Sequence, residues 1–366
     1  MLYYISDFEA YFGPLRLFQY VTFRAGAAFF TAVFLSFIFG PATISMLKRF
    51  QTVAPSRLKG LVPEQYIDSK KDHVPSMGGI LLVFSILVST FLWAFPGNEI
   101  VWIFFGTLLL LGAVGFADDY VKVALKKRDG IPGRLKLVLQ IIIAALAVYL
   151  LDMMPATGDL VRKLYLPFLK NPVFTALPLL AAVGFGALVV VSSSNAVNLT
   201  DGKDGLAVGC SIFCSLAYAV FSYMCGHKFF AEYLGIPFIA GSSEVVIFAM
   251  AISGACIGFL WFNCHPASMF MGDTGSLALG GSIGLIAVLV KQEVNLLIIG
   301  GVFVIEALSV IIQVLSFKLT GKRVFLCSPL HHHFERKGWT ETQIVVRFWI
   351  LAGIFAILGI ASLKIR

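Results

Sequence analysis

The chain has 366 residues, is 58% hydrophobic but only 13% charged, and carries a formal net charge of +8. Soluble domains hold nearer a quarter of charged residues, so this composition excludes an ordinary soluble enzyme or DNA-binding domain and predicts an all-α polytopic membrane protein. The basic residues gather in a few loops, which makes them topology signals, and no nucleic-acid partner is expected.

In chain order, apolar runs long enough to span lie at 20–46, 77–96, 100–117, 135–151, 173–194, 206–224, 242–260, 277–290, 294–316 and 343–362, ten in all. A hydrocarbon core requires about 20 residues of helix. The run 277–290 is short, and 294–316 contains Glu306. A β-barrel is excluded because the runs are continuous and far longer than a ~10-residue barrel strand. No secretory leader is expected: Asp7, Glu9 and Arg16 interrupt the first residues, and no small-residue cleavage pattern follows the first apolar run. Residues 1–366 read as one integral membrane domain. Six cysteines, Cys210, Cys214, Cys225, Cys256, Cys264 and Cys327, lack zinc spacing and read as small apolar fillers, with Cys264 and Cys327 in polar loops.

The segments 47–76, 118–136, 195–205, 261–276 and 317–342 carry eighteen Lys and Arg, the opposite side nine. The positive-inside rule puts the first set in the cytoplasm and both termini on the outer, periplasmic side. Nearly every polar cluster falls on that inner side. A transporter would place ionisable groups near the midplane on paths open to both faces. A one-sided site fits an enzyme that joins a water-soluble substrate to a lipid.

The first inner segment ends in Lys70, Lys71, Asp72 and His73 before VPSMGG. Lys71 is a diphosphate contact or a topology charge. GFADDYVK (115–122) places Asp118 and Asp119 about 100° apart on a helix, where their repulsion is relieved by a divalent cation. Lys122, one turn on, neutralises them or touches a phosphate. NLTDGKDG (198–205) supplies Asn198, Asp201, Lys203 and Asp204, a poor match to a calcium loop that reads as tight turns exposing carboxylates. FMGDTGS supplies Phe270 and Asp273 after Asn263, with Thr274 and Ser276 able to cap a helix beginning near 277. Phe270 stacks on a base or anchors the loop in lipid. In SPLHHHFERKG three adjacent imidazoles diverge, so His331, His332 and His333 are not a zinc site, and one or two of them face the site. Glu335 is placed to orient one of them. Hard oxygen donors favour magnesium, or manganese, over zinc. Magnesium with lysines and helix donors is the equipment of phosphoryl transfer, here to a lipid phosphate or alcohol.

These segments carry a resemblance that covers the whole chain. PSMGG, GFADDYVK, NAVNLTDGKDGLA, WFNCHPASMFMGDTGSLALGG and PLHHHFERKGW are similar to the motifs of the polyprenyl-phosphate N-acetylhexosamine-1-phosphate transferase family. The histidine run followed by Phe334, Glu335 and KGW resembles its muramoyl-pentapeptide branch in particular. The resemblance implies ten transmembrane helices with a cytoplasmic-facing cleft, commonly in a homodimer of the bacterial inner membrane. It implies that undecaprenyl phosphate attacks the β-phosphate of UDP-N-acetylmuramoyl-pentapeptide and releases UMP. Asp273 would be the firmest magnesium ligand, Asp118 the base for the lipid phosphate, and Asp119 a support of the metal or phosphate site. Asn198, Asp201 and Asp204 would line the nucleotide region, Phe270 would stack on uracil, and Lys71 would contact the uridine or diphosphate. Asn263, His331 and His332 would border the cleft. The family's ninth helix is broken, which would explain Glu306 in an apolar run.

Two departures stand out: His73 and Val74 replace a glycine and threonine usual in relatives, and Lys203 stands where they tend to have another residue. Lys203 is expected to face away or to add a phosphate contact. The rival readings are a sibling transferase acting on another UDP-N-acetylhexosamine, a prenyltransferase with aspartate-rich motifs, and a transporter.

Overall fold

The structure is a computed structural model that describes residues 1–50, 74–123 and 130–365. The expected Lys71 contact lies outside the described residues. The protein is an all-α polytopic membrane protein, and each apolar run carries one principal helix. These are α1 (Val21–Arg49), α2 (Gly79–Trp93), α3 (Glu99–Val123), α4 (Gly133–Met153) and α5 (Leu179–Thr200). They continue with α6 (Leu206–Gly226), α7 (Val245–Asn263), α8 (Gly272–Leu289), α9 (Gly301–Thr320) and α10 (Glu341–Ala361). Among the described residues nine of them are long and apolar enough to cross a membrane, and α2, with 15 residues, is the shorter one.

Local chemistry sets the ends. Pro132 and Pro178 stand at the caps of α4 and α5, where a missing N–H costs no helical hydrogen bond. Gly321 at φ 68° closes α9, and a capping box of Thr340 and Gln343 opens α10. Three bounds differ from the apolar runs in ways that matter. Helix α3 runs beyond the apolar run's end at 117 to Val123, so Asp118, Asp119 and Lys122 ride on its last turns, as their spacing implied. Helix α8 starts at Gly272, not near 277, because neighbouring helices bury its polar first turn. The 294–316 run breaks at Gly300 into Leu296–Ile299 and α9.

Helix α8 is the centre of the bundle. Its membrane-length window is 94% buried, against 22% for α9 and 28% for α1. Helices α2, α3, α5 and α6 pack around it, α1 packs on α7, and α10 on α6. Lipid supplies little hydrophobic force between helices, so association depends on close contact at small residues. A β-carbon at Gly115 would collide with the Asp273 carbonyl oxygen, and one at Gly79 with the backbone nitrogen of Gly275. Those two glycines let α3 and α2 press directly on the first turn of α8. That contact brings GFADDYVK and FMGDTGS together.

Candidate active site

At this junction Asp119 spends both carboxylate oxygens on the start of α8. Oδ1 accepts from Asp273 N (3.1 Å), and Oδ2 from Thr274 N (2.9 Å) and Thr274 Oγ1 (2.7 Å). The first N–H groups of a helix have no partner within it, so Asp119 caps α8 from another helix. This role was expected of Thr274 and Ser276, which instead lie inside the first turn because α8 begins earlier. Gly272, at φ 74°, takes the left-handed turn that leads into the helix.

Asp118 and Asp273 stand next to this cap. Asp118 Oδ1 accepts from Ile131 N at 2.8 Å, and its carboxylate is ion-paired with Lys122 one turn on. Asp273 Oδ1 accepts from Asn198 Nδ2 at 2.9 Å, while Oδ2 takes Lys122 Nζ at 3.0 Å and Lys136 Nζ at 2.5 Å. Asn198 Nδ2 also reaches Ser276 Oγ at 2.8 Å. Asp118, Asp119 and Asp273 each offer an oxygen within 4.8 Å of the others, and all three are buried. Three buried carboxylates thus gather beside two lysines, which pair with Asp118 and Asp273. The donors are hard oxygens with no thiol or imidazole among them, a set that suits magnesium or manganese.

The turn after α5 extends this site. Burial pushes the Asp201 carboxyl up to about 8, and the charges of Asp273, Asp119 and Asp204 push the same way. A divalent cation nearby would reverse that trend. Asp204 faces elsewhere: its Oδ2 accepts from Ala267 N (3.2 Å) and pairs with His265 Nδ1 (3.0 Å), and its backbone N–H donates to Glu341 Oε1 (3.1 Å). The expected acids therefore divide between the α3–α8 junction and an Asp204–His265–Glu341 group. Asn263 is buried and clasps two loops, accepting from Gly205 N at 3.0 Å and donating to Met269 O at 2.9 Å. Phe270 is half-buried, with its backbone paired to Pro75 and Gly78 on either side, so PSMGG and FMGDTGS are laced together.

The helix Leu330–Arg336 lies against the same turn. The three histidines diverge: His331 meets Glu306, His332 Nδ1 pairs with Glu335 Oε2 at 2.9 Å, and His333 Nδ1 accepts from Leu326 N at 3.1 Å. Lys203 is held by Glu335: its Nζ meets Glu335 Oε1 at 2.5 Å and ties NLTDGKDG to the histidine helix. The pairing with His332, and then with Lys203, holds the Glu335 carboxyl down at about 2, against the opposing effect of burial. Burial pushes the His331 imidazole below its usual range.

Sequence reasoning missed Lys136, His265 and Glu341. Lys136 looked like one more inner-side charge; its position in the first turn of α4, on the same side as Asp118, was the available signal. The break that was expected to explain Glu306 is present at Gly300, and what the sequence did not show is that Glu306, fully buried within α9, is bonded to His331.

All five motif-bearing segments, so far as they are described, meet at this one end. A sequence-family model described as glycosyl transferase family 4 matches residues 101–291. The chain is 47% identical to a phospho-N-acetylmuramoyl-pentapeptide-transferase of Methylacidiphilum infernorum over the full length of both proteins. Proteins of the same description from Koribacter versatilis and Rhodopseudomonas palustris are 45% and 48% identical, again over the whole of each chain. With five motif segments converging on one site and identities of this size from end to end, the chain belongs to the phospho-N-acetylmuramoyl-pentapeptide-transferase family.

Proposed function

We propose that this protein transfers phospho-N-acetylmuramoyl-pentapeptide from its UDP carrier to undecaprenyl phosphate, forming lipid I for peptidoglycan synthesis and releasing UMP. The observation that carries this reading is the meeting of Asp118, Asp273, Lys122 and Lys136 beside the Asp201 turn at one end of a membrane bundle. Asp273 and Asp118 would hold magnesium, and Asp119 braces them by fixing the start of α8. Magnesium, when bound, offsets negative charge on the diphosphate oxygens.

Lys122 and Lys136 now rest on the acids, and they turn to the diphosphate when the nucleotide enters. Asn198 keeps Asp273 in orientation through its 2.9 Å bond. Asp201 and Asp204 line the nucleotide region with Phe270 against the uracil, and Lys71 contacts the uridine or diphosphate. Asn263 shapes that region through its two loops, and His331 and His332 border it. The lipid phosphate attacks the β-phosphate directly. A phosphate monoester is already largely dianionic at neutral pH, its second pKa being about 6, so Asp118 has little proton to remove and acts mainly through charge.

The Lys and Arg asymmetry supports ten spans with the site facing the cytoplasm of a bacterial inner membrane and both termini outside. The family resemblance supports a homodimer. The test is release of UMP from UDP-N-acetylmuramoyl-pentapeptide and undecaprenyl phosphate, with and without a chelator, beside UDP-N-acetylglucosamine. Magnesium-dependent release from the muramoyl substrate alone is expected. Equal release from both nucleotides would favour the sibling transferase. UMP release without lipid, together with a trapped adduct, would replace direct attack by a covalent route.

A further inference from the structure

Glu306 is the sixth residue of α9 and is fully buried. An ionisable group at such a place in a membrane helix needs a partner. Both of its oxygens face the same residue. Oε1 accepts from the backbone N–H of His331 at 3.1 Å, and Oε2 meets the ring Nδ1 at 3.1 Å. Because His331 is the second residue of its helix, the first of these bonds satisfies an N–H that the helix cannot. The second sets the ring. A carboxylate only accepts, so Nδ1 carries the hydrogen and the neutral ring keeps its lone pair on Nε2.

That Nε2 has no partner, although the residue is only 1% exposed. Its edge lies against Gly202, where a β-carbon would overlap it. The His332 ring lies beside the His331 ring, their centroids 4.3 Å apart, and the next residue along the turn is Lys203. The imidazole is thus wedged between Glu306 and the turn that bears Asp201 and Asp204. A buried polar atom left unbonded is unfavourable, and an atom held so at the edge of a binding loop is poised for a ligand.

We propose that Glu306 is a positioning residue for the transfer reaction: it fixes the orientation and tautomer of His331, so that Nε2 is presented at the Asp201–Gly202 turn to a hydrogen-bond donor of the sugar nucleotide. This rests on the function proposed above. Nothing in the geometry requires Glu306 to touch substrate. It acts through His331, as an outer carboxylate acts on a ligating histidine.

The test uses the full-length protein with its histidines labelled with ¹⁵N. In the wild-type protein the His331 signals should report the Nδ1–H tautomer, and UDP-N-acetylmuramoyl-pentapeptide should shift the Nε2 signal. Glu306→Gln keeps an oxygen for the backbone N–H but offers an amide donor to Nδ1, which drives the proton to Nε2. Its kcat/KM should fall about 10- to 100-fold, the usual range for an outer-shell carboxylate. Added to His331→Ala, the same change should cost less than about 2-fold more, since the two act as one unit. An Nε2–H ring in the wild-type protein, an Nε2 signal indifferent to the nucleotide, wild-type kinetics for Glu306→Gln, or losses that multiply in the double variant would each overturn the inference. The wild-type spectra decide even if the variant fails to fold. Failure of the wild-type protein itself to release UMP would instead count against the proposed function.

Discussion

At the end of the bundle away from the motif segments, Arg24 of α1 meets Glu244 through two parallel bonds of 2.7 and 2.6 Å. Backbone groups close the pair: Trp93 O accepts from the guanidinium at 3.1 Å, and Phe95 N–H donates to the carboxylate at 2.9 Å. At the motif end two lysines divide themselves among Asp118 and Asp273, and Asp273 Oδ2 holds both at once. The first arrangement is one cation to one anion in a planar fork, a geometry that leaves little for a ligand to gain. With Asp119 beside them, the second has three acids to two bases, and ammonium groups that swing on flexible stems. A buried charge set of that kind is costly unless something else completes it. The contrast separates an ion pair that joins helices from one that awaits phosphate and metal.

The sharpest way to break the comparison is to remove one charge at each end. Asp273→Asn should lower turnover on the order of 1,000-fold, because several kcal/mol of electrostatic stabilisation go with it, while the protein still folds and extracts normally. An assay of UMP release beside a thermal melt checks both halves. Arg24→Ala should do the reverse. It leaves Glu244 buried without its cation, at a cost of about 3–5 kcal/mol in stability, with turnover per folded molecule unchanged. If Arg24→Ala proved catalytically dead but stable, the two ends would not differ as argued. Lys136→Met sharpens the picture further. Loss of one charged contact to the diphosphate should lower kcat/KM by about 10- to 100-fold. The melt should hardly move, because Lys122 remains on Asp273.

How far the sequence could be read follows the same division. Spans were legible because hydropathy is a local property, and Asp118 with Lys122 because an i,i+4 pair is local too. The start of α8 was not, since GDTGS is polar and only its neighbours bury it. That Asp119 also caps α8 could not be read, because this role depends on N–H groups 154 and 155 positions away. The Asp204–Glu341 contact likewise joins residues 137 apart, with no local trace. Glu306 showed itself as a lone acid in an apolar run, but nothing nearby in sequence pointed to His331. Convergence of the inner segments was foreseeable from topology; the assignment of each carboxylate to backbone, lysine or imidazole needed the packing.

The smallest effect concerns pH at the histidine helix, where Glu335 and His332 are partly exposed. Burial lowers the His331 value below the ordinary 6.5, so below that pH an unfolded chain takes a proton that the folded ring refuses. Docking of Leu330–Arg336 should therefore weaken as pH falls through 6.5. Glu335 adds a second step. Its folded value of about 2 lies under the ordinary 4.5, so its pairing is fully present above 4.5 and is lost as pH falls from there toward 2. Water screens this pair, whose carboxylate is 46% exposed, so the second step should amount to less than about 1 kcal/mol. Amide hydrogen exchange over 330–336, corrected for the intrinsic rate, should show opening that grows below pH 6.5 and again below 4.5. Glu335→Gln should abolish the lower step and leave the upper one. An opening free energy that stayed flat from pH 7.5 to 5 would mean that the folded His331 ring takes up its proton as readily as the unfolded chain does, so that burial does not hold it neutral.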